Sequence, residues 1–247
     1  MPDRGTALFD LDHTILPFDT QVLFANFVLQ RERWRRVLIL PWLLLAPLAV
    51  VGVLGASSMK RAFFSLFTGM REDRLRAYAD DFARSVFLDA CYPEMRREIQ
   101  RNREQGRRLI LNSASPEFYL IPIAAGLGFD ECVGTRLDIA GRVRFFPRID
   151  GSNNKGAEKI GAMRDRGIIP RDTTVLANSV AYSDSSSDLP LLRIASNAVV
   201  VHPGRRLEKE AERAGWRTVR PDRPYGGKWG GRWATARQAI GCWARGE

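Results

Sequence analysis

Two short acidic stretches hold the side chains best suited to chemistry. Asp10-Leu11-Asp12-His13-Thr14 follows the apolar run Thr6-Ala7-Leu8-Phe9, and Ser183-Asp184-Ser185-Ser186-Ser187-Asp188 follows a second run that ends at Tyr182. Carboxylates two positions apart, just past a strand end, project from one side of the chain. One can then act as nucleophile and the other as acid and base beside a divalent cation. The second pair supplies further oxygen donors. Between the two lies Leu111-Asn112-Ser113-Ala114-Ser115-Pro116, a small-residue turn from strand to helix. Its hydroxyl and backbone N–H groups can hold a phosphate there, and Lys155 at the head of a helix brings positive charge. Each residue also has an ordinary role open to it. Asp10 and Asp12 suit turns or helix caps, Ser113 and Lys155 a surface, and Asp184 with Asp188 a solvated loop. Their joint order along the chain favours a site. His13 reads as a loop residue and His202, before Pro203, as structural.

The elements that would position these residues alternate. Thr6–Phe9 reads as a buried strand, and 107–112 as the next one. A helix follows from Pro116 to about Ala125, closed by Gly126. Then come a strand near 132–135, a hairpin over 137–146 around Ala140-Gly141, a helix over 155–166, and strands ending at Tyr182 and Val201. This alternation implies an α/β fold, a doubly wound parallel sheet with helices on both faces. The stretch 20–106 instead shows helical spacing throughout, through Phe24, Phe27 and Val28, then Phe63, Phe64 and Phe67, then Leu75, Tyr78, Phe82 and Val86. The expected organisation is a core of 1–19 and 107–215, an all-helical insert of 20–106, and a tail of 216–247. The 247 residues suffice for one core with an insert. At 45% apolar, neither disorder nor a polytopic membrane protein fits the whole chain. Cys91, Cys132 and Cys242 lack paired spacing, so neither a disulfide framework nor a structural zinc site is expected. No secretory segment stands at the start, and a reducing cytoplasm is expected.

In order and wording, the four motifs resemble those of the haloacid dehalogenase superfamily, over about residues 5–216. The resemblance implies a Rossmann-like core with an inserted helical cap of the C1 type and Mg2+-dependent phosphomonoesterase activity. Asp10 would form an aspartyl-phosphate and Asp12 would be the acid and base. Ser113 and Ala114 would bind phosphate with Lys155 as counter-charge. Asp10, Asp184 and the backbone carbonyl of Asp12 would hold the metal, and Asp188 would support that loop. About a hundred residues separate Asp10 from Ser113, against about forty from Ser113 to Lys155, so the cap belongs to the first gap. This placement resembles the phosphoserine-phosphatase-like branch, subfamily IB. In phosphoserine phosphatases a glutamate nine positions after the nucleophile helps hold the substrate amine. Asp19, a shorter acid, stands there as a possible substrate contact, or as the cap of a helix starting near Thr20.

The strongest indication of substrate class is Val37–Met59, 23 residues without a charge. A single membrane crossing would put Asp10 and Ser113 on opposite sides, and two crossings need about 40 residues. A dipping or interfacial hairpin broken at Pro41 and Pro47 remains, with burial inside the cap as the alternative. Arg31, Arg33, Arg35 and Arg36 crowd around Trp34 before it, and Lys60 with Arg61 follows it. Four of the six tryptophans lie in 216–247, alongside seven Lys or Arg and two acids. With a net charge of +10, this pattern suits an anionic membrane surface at the cytoplasmic face. A specific nucleic-acid partner is not expected, and the oligomeric state is left open. A lipid or glycerol-type phosphate is therefore the first expectation, and a small soluble phosphomonoester such as phosphoserine the second. A non-catalytic membrane-binding or nucleic-acid-binding module is the third.

Overall fold

The computed structural model describes residues 4–50, 53 and 55–243. Positions 51, 52 and 54 of the expected membrane-dipping segment, and 244–247 of the tail, lie outside the described residues. The chain opens with β1 (Thr6–Phe9), α1 (Thr20–Arg31), a 3-10 turn (Arg33–Ile39), α2 (Leu40–Val50), α3 (Ala56–Phe64) and α4 (Glu72–Phe82). The short α5 (Leu88–Ala90) leads to α6 (Pro93–Glu104), β2 (Arg108–Pro116), α7 (Glu117–Leu127), β3 (Glu131–Leu137), β4 (Ile149–Asp150) and α8 (Glu158–Asp165). The remainder is β5 (Leu176–Ser183), α9 (Leu189–Ile194), β6 (Ala195–Val201), α10 (Arg205–Ala214), β7 (Arg217–Val219) and α11 (Gly227–Ala239).

The seven strands form one sheet in the order β4-β3-β2-β1-β5-β6-β7, parallel throughout except where β4 meets β3. β1 is central, so Ala7, Leu8 and Phe9 are all fully buried, as a strand covered on both faces requires. Its residues alternate between two cores. Leu8 joins Ile110, Val133, Ala181 and Val200 under α8, α9 and α10, while Ala7 and Phe9 join Leu109, Leu111, Tyr182 and the helices opposite. Phe9 pairs in register with Leu111 and with Tyr182. That register brings the residues after all three strand ends to one level, at the carboxyl edge where strand order reverses.

Several boundaries differ from those the sequence suggests. Expected as the end of the insert, α6 packs on the sheet: Asn102 Nδ2 donates to Tyr182 Oη at 2.9 Å, and that hydroxyl donates to Glu98 Oε2 at 2.9 Å. Its polar, amphipathic surface looks like that of a cap helix, but Met95 and Ile99 are buried in the core. The expected hairpin at 137–146 is instead the longer-looped pair β3 and β4, with Arg142 bridged to Arg71 of the insert. α7 runs past Gly126 to a left-handed cap at Gly128 (φ 71°). In the tail, α11 packs on α1. Trp243 N–H donates to Asn26 Oδ1 at 3.2 Å, and Gln30 Nε2 donates to the Trp243 carbonyl at 2.6 Å. Gly231 is needed because a Cβ there would lie 2.9 Å from the Tyr225 ring.

An aromatic cluster joins the insert to the core. The Phe24 ring lies 5.4–5.5 Å from those of Phe67, Phe82 and Phe118, and 5.3 Å from that of Tyr119 on α7. The arginines near Trp34 are partly structural, which corrects their expected role as headgroup contacts. Arg35 is buried, pairs with Glu32 at 2.5 Å and donates to the carbonyls of Leu66 and Thr68. Arg31 pairs with Asp81 at 3.1 Å. Because Phe24 is fully buried at this junction, Phe24→Ala should cost about 3–5 kcal/mol in urea unfolding. A loss under about 1 kcal/mol would mean the cap does not lean on this ring.

Candidate active site

β1 delivers Asp10, whose N–H donates to the Tyr182 carbonyl at 2.9 Å, locking the strand end to β5. Its carboxylate is 7% exposed, and Oδ1 accepts from Lys159 Nζ at 2.6 Å. The same ammonium donates to Asp188 Oδ2 at 2.7 Å, and Ser183 Oγ adds a bond to that oxygen at 2.9 Å. Lys159 and Asp188 are buried too. Burial pushes Asp10 up to about 8; Lys159 opposes the rise, and Asp188 and Asp184 add to it. Lys159 would be lowered by burial, but Asp10 and Asp188 outweigh it and hold its pKa above the ordinary value. The cluster carries more negative than positive charge.

The lysine in contact with the acids is thus Lys159, while Lys155, expected as the counter-charge, is not among these contacts. Gly156 turns the chain at φ 64°, and α8 begins only at Glu158, so Lys155 sits in the preceding turn with its side chain exposed. Lys159, one helical turn on, faces inward. Asn112 Nδ2 donates to the Lys159 carbonyl at 3.0 Å, fixing the helix against β2. Asn154 Nδ2 is shared among Asn112 Oδ1, the Ser113 carbonyl and the Val133 carbonyl at 2.8–3.1 Å, which pins the turn before α8.

Asp12 is held by hydroxyls. Its Oδ1 accepts from Thr20 N–H at 2.7 Å and Thr20 Oγ1 at 2.5 Å, and its Oδ2 accepts from Ser115 Oγ at 2.8 Å. Ser113, in the irregular end of β2 rather than in a turn after it, is fully buried, with Oγ accepting from Ser115 N–H at 3.1 Å. Asp184 is joined to the first loop through Thr14, whose Oγ1 accepts from the Asp184 N–H at 3.0 Å and donates to Asp10 Oδ2 at 3.3 Å. Burial raises Asp184 to about 6, with His13 opposing and Asp188 and Asp12 adding. Asp19 caps α1, accepting from the N–H groups of Gln21 and Val22, and burial next to Asp12 pushes it up to about 6. The two oxygens of Asp12 thus touch the start of the insert and the end of β2.

Thr14, Thr20, Ser115, Asn154 and Lys60 join the site without having been expected from the sequence. On α3, Lys60 Nζ donates to the Ala114 carbonyl at 2.6 Å and to Asn153 Oδ1 at 2.5 Å, reaching from the insert to the segment expected to bind phosphate. Burial brings it down to about 8 against the pull of Asp12 and Asp19. No group of three or more His, Cys, Asp or Glu side chains able to hold a metal is present among the described residues. The donor set is nonetheless suited to a hard cation, since Asp10 and Asp184 offer oxygens alone and are close enough for one charge to disfavour the other.

A parallel sheet with paired acids, a buried lysine and a serine turn at its carboxyl edge defines a phosphoric monoester hydrolase of the α/β class. The chain belongs to the haloacid dehalogenase-like hydrolase family, whose model matches residues 7–193. Histidinol-phosphatase of Neisseria meningitidis serogroup C is 24% identical over 86% of this chain and 97% of its own. Phosphoserine phosphatase SerB1 of Mycobacterium tuberculosis is 26% identical over 86% of this chain and 69% of its own. A crystal structure of a protein of unknown function from Bordetella pertussis Tohama I superposes with a TM-score of 0.73 at 26% identity, covering 87% of this chain and 98% of that one.

The two lysines can be separated by experiment. Lys159→Met should lower kcat on a small chromogenic phosphate by about 10²–10³-fold, the loss typical of removing one preorganised positive donor. Lys155→Met should stay within about threefold. Steady-state kinetics on both variants, matched by circular dichroism, reads the difference, and the reverse order would return the role to Lys155.

Proposed function

We propose that this chain is a Mg2+-dependent phosphomonoesterase that works through an aspartyl-phosphate, at the cytoplasmic face of a membrane, on a lipid or glycerol-type phosphate such as phosphatidylglycerophosphate. The contact between Lys159 and Asp10 at 2.6 Å, inside a pocket of acids, is the observation that carries the reaction. An Asp10 oxygen attacks phosphorus, the bond to the leaving-group oxygen breaks, and Asp12 gives that oxygen its proton. Asp12 then takes a proton from water, whose oxygen attacks the acyl phosphate, freeing Asp10 and inorganic phosphate. Ser113 Oγ and the Ala114 N–H bind the transferring group, while Lys159 neutralises part of its charge. Asp188 keeps Lys159 in place. Asp10, Asp184 and the Asp12 backbone carbonyl would hold Mg2+, which when bound supplies the charge that lets a carboxylate approach a phosphate.

The substrate class rests on the cap. Leu40, Leu43 and Leu44 of α2, with Val37 before them, are 50–69% exposed, more apolar surface than a soluble cap would leave open. No described helix is long and apolar enough to cross a membrane, which agrees with a segment that lies in the interface. In cap character and motif wording the chain resembles phosphatidylglycerophosphatase C. A second reading, a small soluble phosphomonoester, is favoured by Asp19 beside Asp12 and by the names of the two phosphatase relatives.

Phosphate release with Mg2+ is the test, using phosphatidylglycerophosphate in mixed micelles against histidinol phosphate and phosphoserine in buffer. The lipid should be preferred at least tenfold in kcat/KM. Asp10→Asn and excess chelator should each abolish release, and Asp184→Asn should raise the Mg2+ requirement. Preference for a soluble ester would establish the second reading, and wild-type rates in Asp10→Asn would remove the mechanism.

A further inference from the structure

Helix α11 is not expected from the sequence, and its outer face is unlike an ordinary surface helix. Trp229, Trp233, Ala236 and Ile240 fall at i, i+4, i+7 and i+11, one stripe along the helix. All four are exposed, with Trp229 at 72%, Trp233 at 69% and Ile240 at 46%. The opposite side is the packed one, where Gln238 is 1% exposed and the Gly241 backbone approaches Leu29 of α1. Arg232 lies over the Trp229 ring at 5.2 Å. The helix is therefore anchored to the fold while presenting two indoles outward.

The carboxyl end of this helix meets the segment that leads into the apolar part of the cap. Arg36 Nη2 donates to the Gly241 carbonyl at 2.9 Å. Arg36 lies between Trp34 (60% exposed) and Val37 (69% exposed), and Gly241 directly follows Ile240. Two segments about 200 residues apart in sequence thus share one seam. No Asp or Glu occurs between Arg33 and Arg71, or between Arg223 and Trp243. Every charged residue within these two segments is basic, and Asp89 and Asp222 line the groove beside Trp233.

We infer that α11 and the segment from Trp34 to Leu44 form one lipid-docking surface whose partner is an anionic bilayer. Indoles sit at headgroup level, aliphatic side chains go just below, and Arg232 meets lipid phosphate. Charge complementarity favours this occupant. A second copy of the same face would bring positive charge against positive charge on a chain already at +10. The inference extends the lipid reading of the cap by a second, independent contact, and the two can fail separately.

Vesicle flotation of the full-length protein tests it, with phosphatidylglycerol–phosphatidylcholine vesicles against pure phosphatidylcholine. Wild type should favour the anionic vesicles at least tenfold. Trp229→Ser/Trp233→Ser should weaken that binding about tenfold or more, and Arg232→Gln about fivefold with a shallower salt dependence. Hydrolysis of a chromogenic phosphate should stay within twofold in both. Trp229→Ser alone serves if the double variant does not fold. Unchanged vesicle binding in the tryptophan variants would overturn the role of α11, even if Leu43→Ser/Leu44→Ser released the protein and so left the cap reading standing. Conversion of a lipid-free dimer to monomer by the tryptophan variants would assign the face to self-association and overturn the proposal.

Discussion

The buried ammonium of Lys159 is what the rest of this structure is arranged around. Taking a carboxylate and an ammonium out of water costs several kcal/mol each, so Asp10, Lys159 and Asp188 are stable only as a unit. Their bonds at 2.6 and 2.7 Å join the end of β1, α8 and the loop after β5, with Asp10 and Lys159 alone 149 residues apart in sequence. The strand register places the acids at one level, and the two buried asparagines then set the depth at which α8 enters. A mispaired sheet would leave one of these charges alone in the core, so the site also polices the fold.

The helical insert answers a different constraint. Its own interior is a set of phenylalanines that continues into Phe118 and Tyr119, so cap and core share one apolar cluster. Lys60 adds a polar strut from the same insert to the Ala114 carbonyl, beside Ser113. The insert's buried side is thus committed to the acid cluster's surroundings, while its far side keeps leucines in the open.

Much of the site is legible in the sequence because acids placed directly after apolar runs, and repeated in order, mark the ends of adjacent strands. Asp10, Asp12, Asp184 and Asp188 fall on converging loops for that reason. Lys155 and Lys159 are four apart and look equivalent along a helix; only Gly156 with positive φ, which delays the start of α8, decides between them. Core strands show as apolar runs, but α6 carries the same polar, amphipathic pattern as a cap helix, so its sequence puts it on the wrong side of the boundary. α11 hides behind four glycines, one of which, Gly231, makes room for the Tyr225 ring rather than ending a helix. Thr20 and Ser115 give no signal at all, since a hydroxyl acquires meaning only from what it faces.

Thr20 belongs to the insert, yet it donates two of the three hydrogen bonds that hold the Asp12 carboxylate. The first turn of the insert is therefore part of the shell of donors around this carboxylate, and a change that shifts α1 would be felt at Asp12 through Thr20 before it reached any other acid of the cluster.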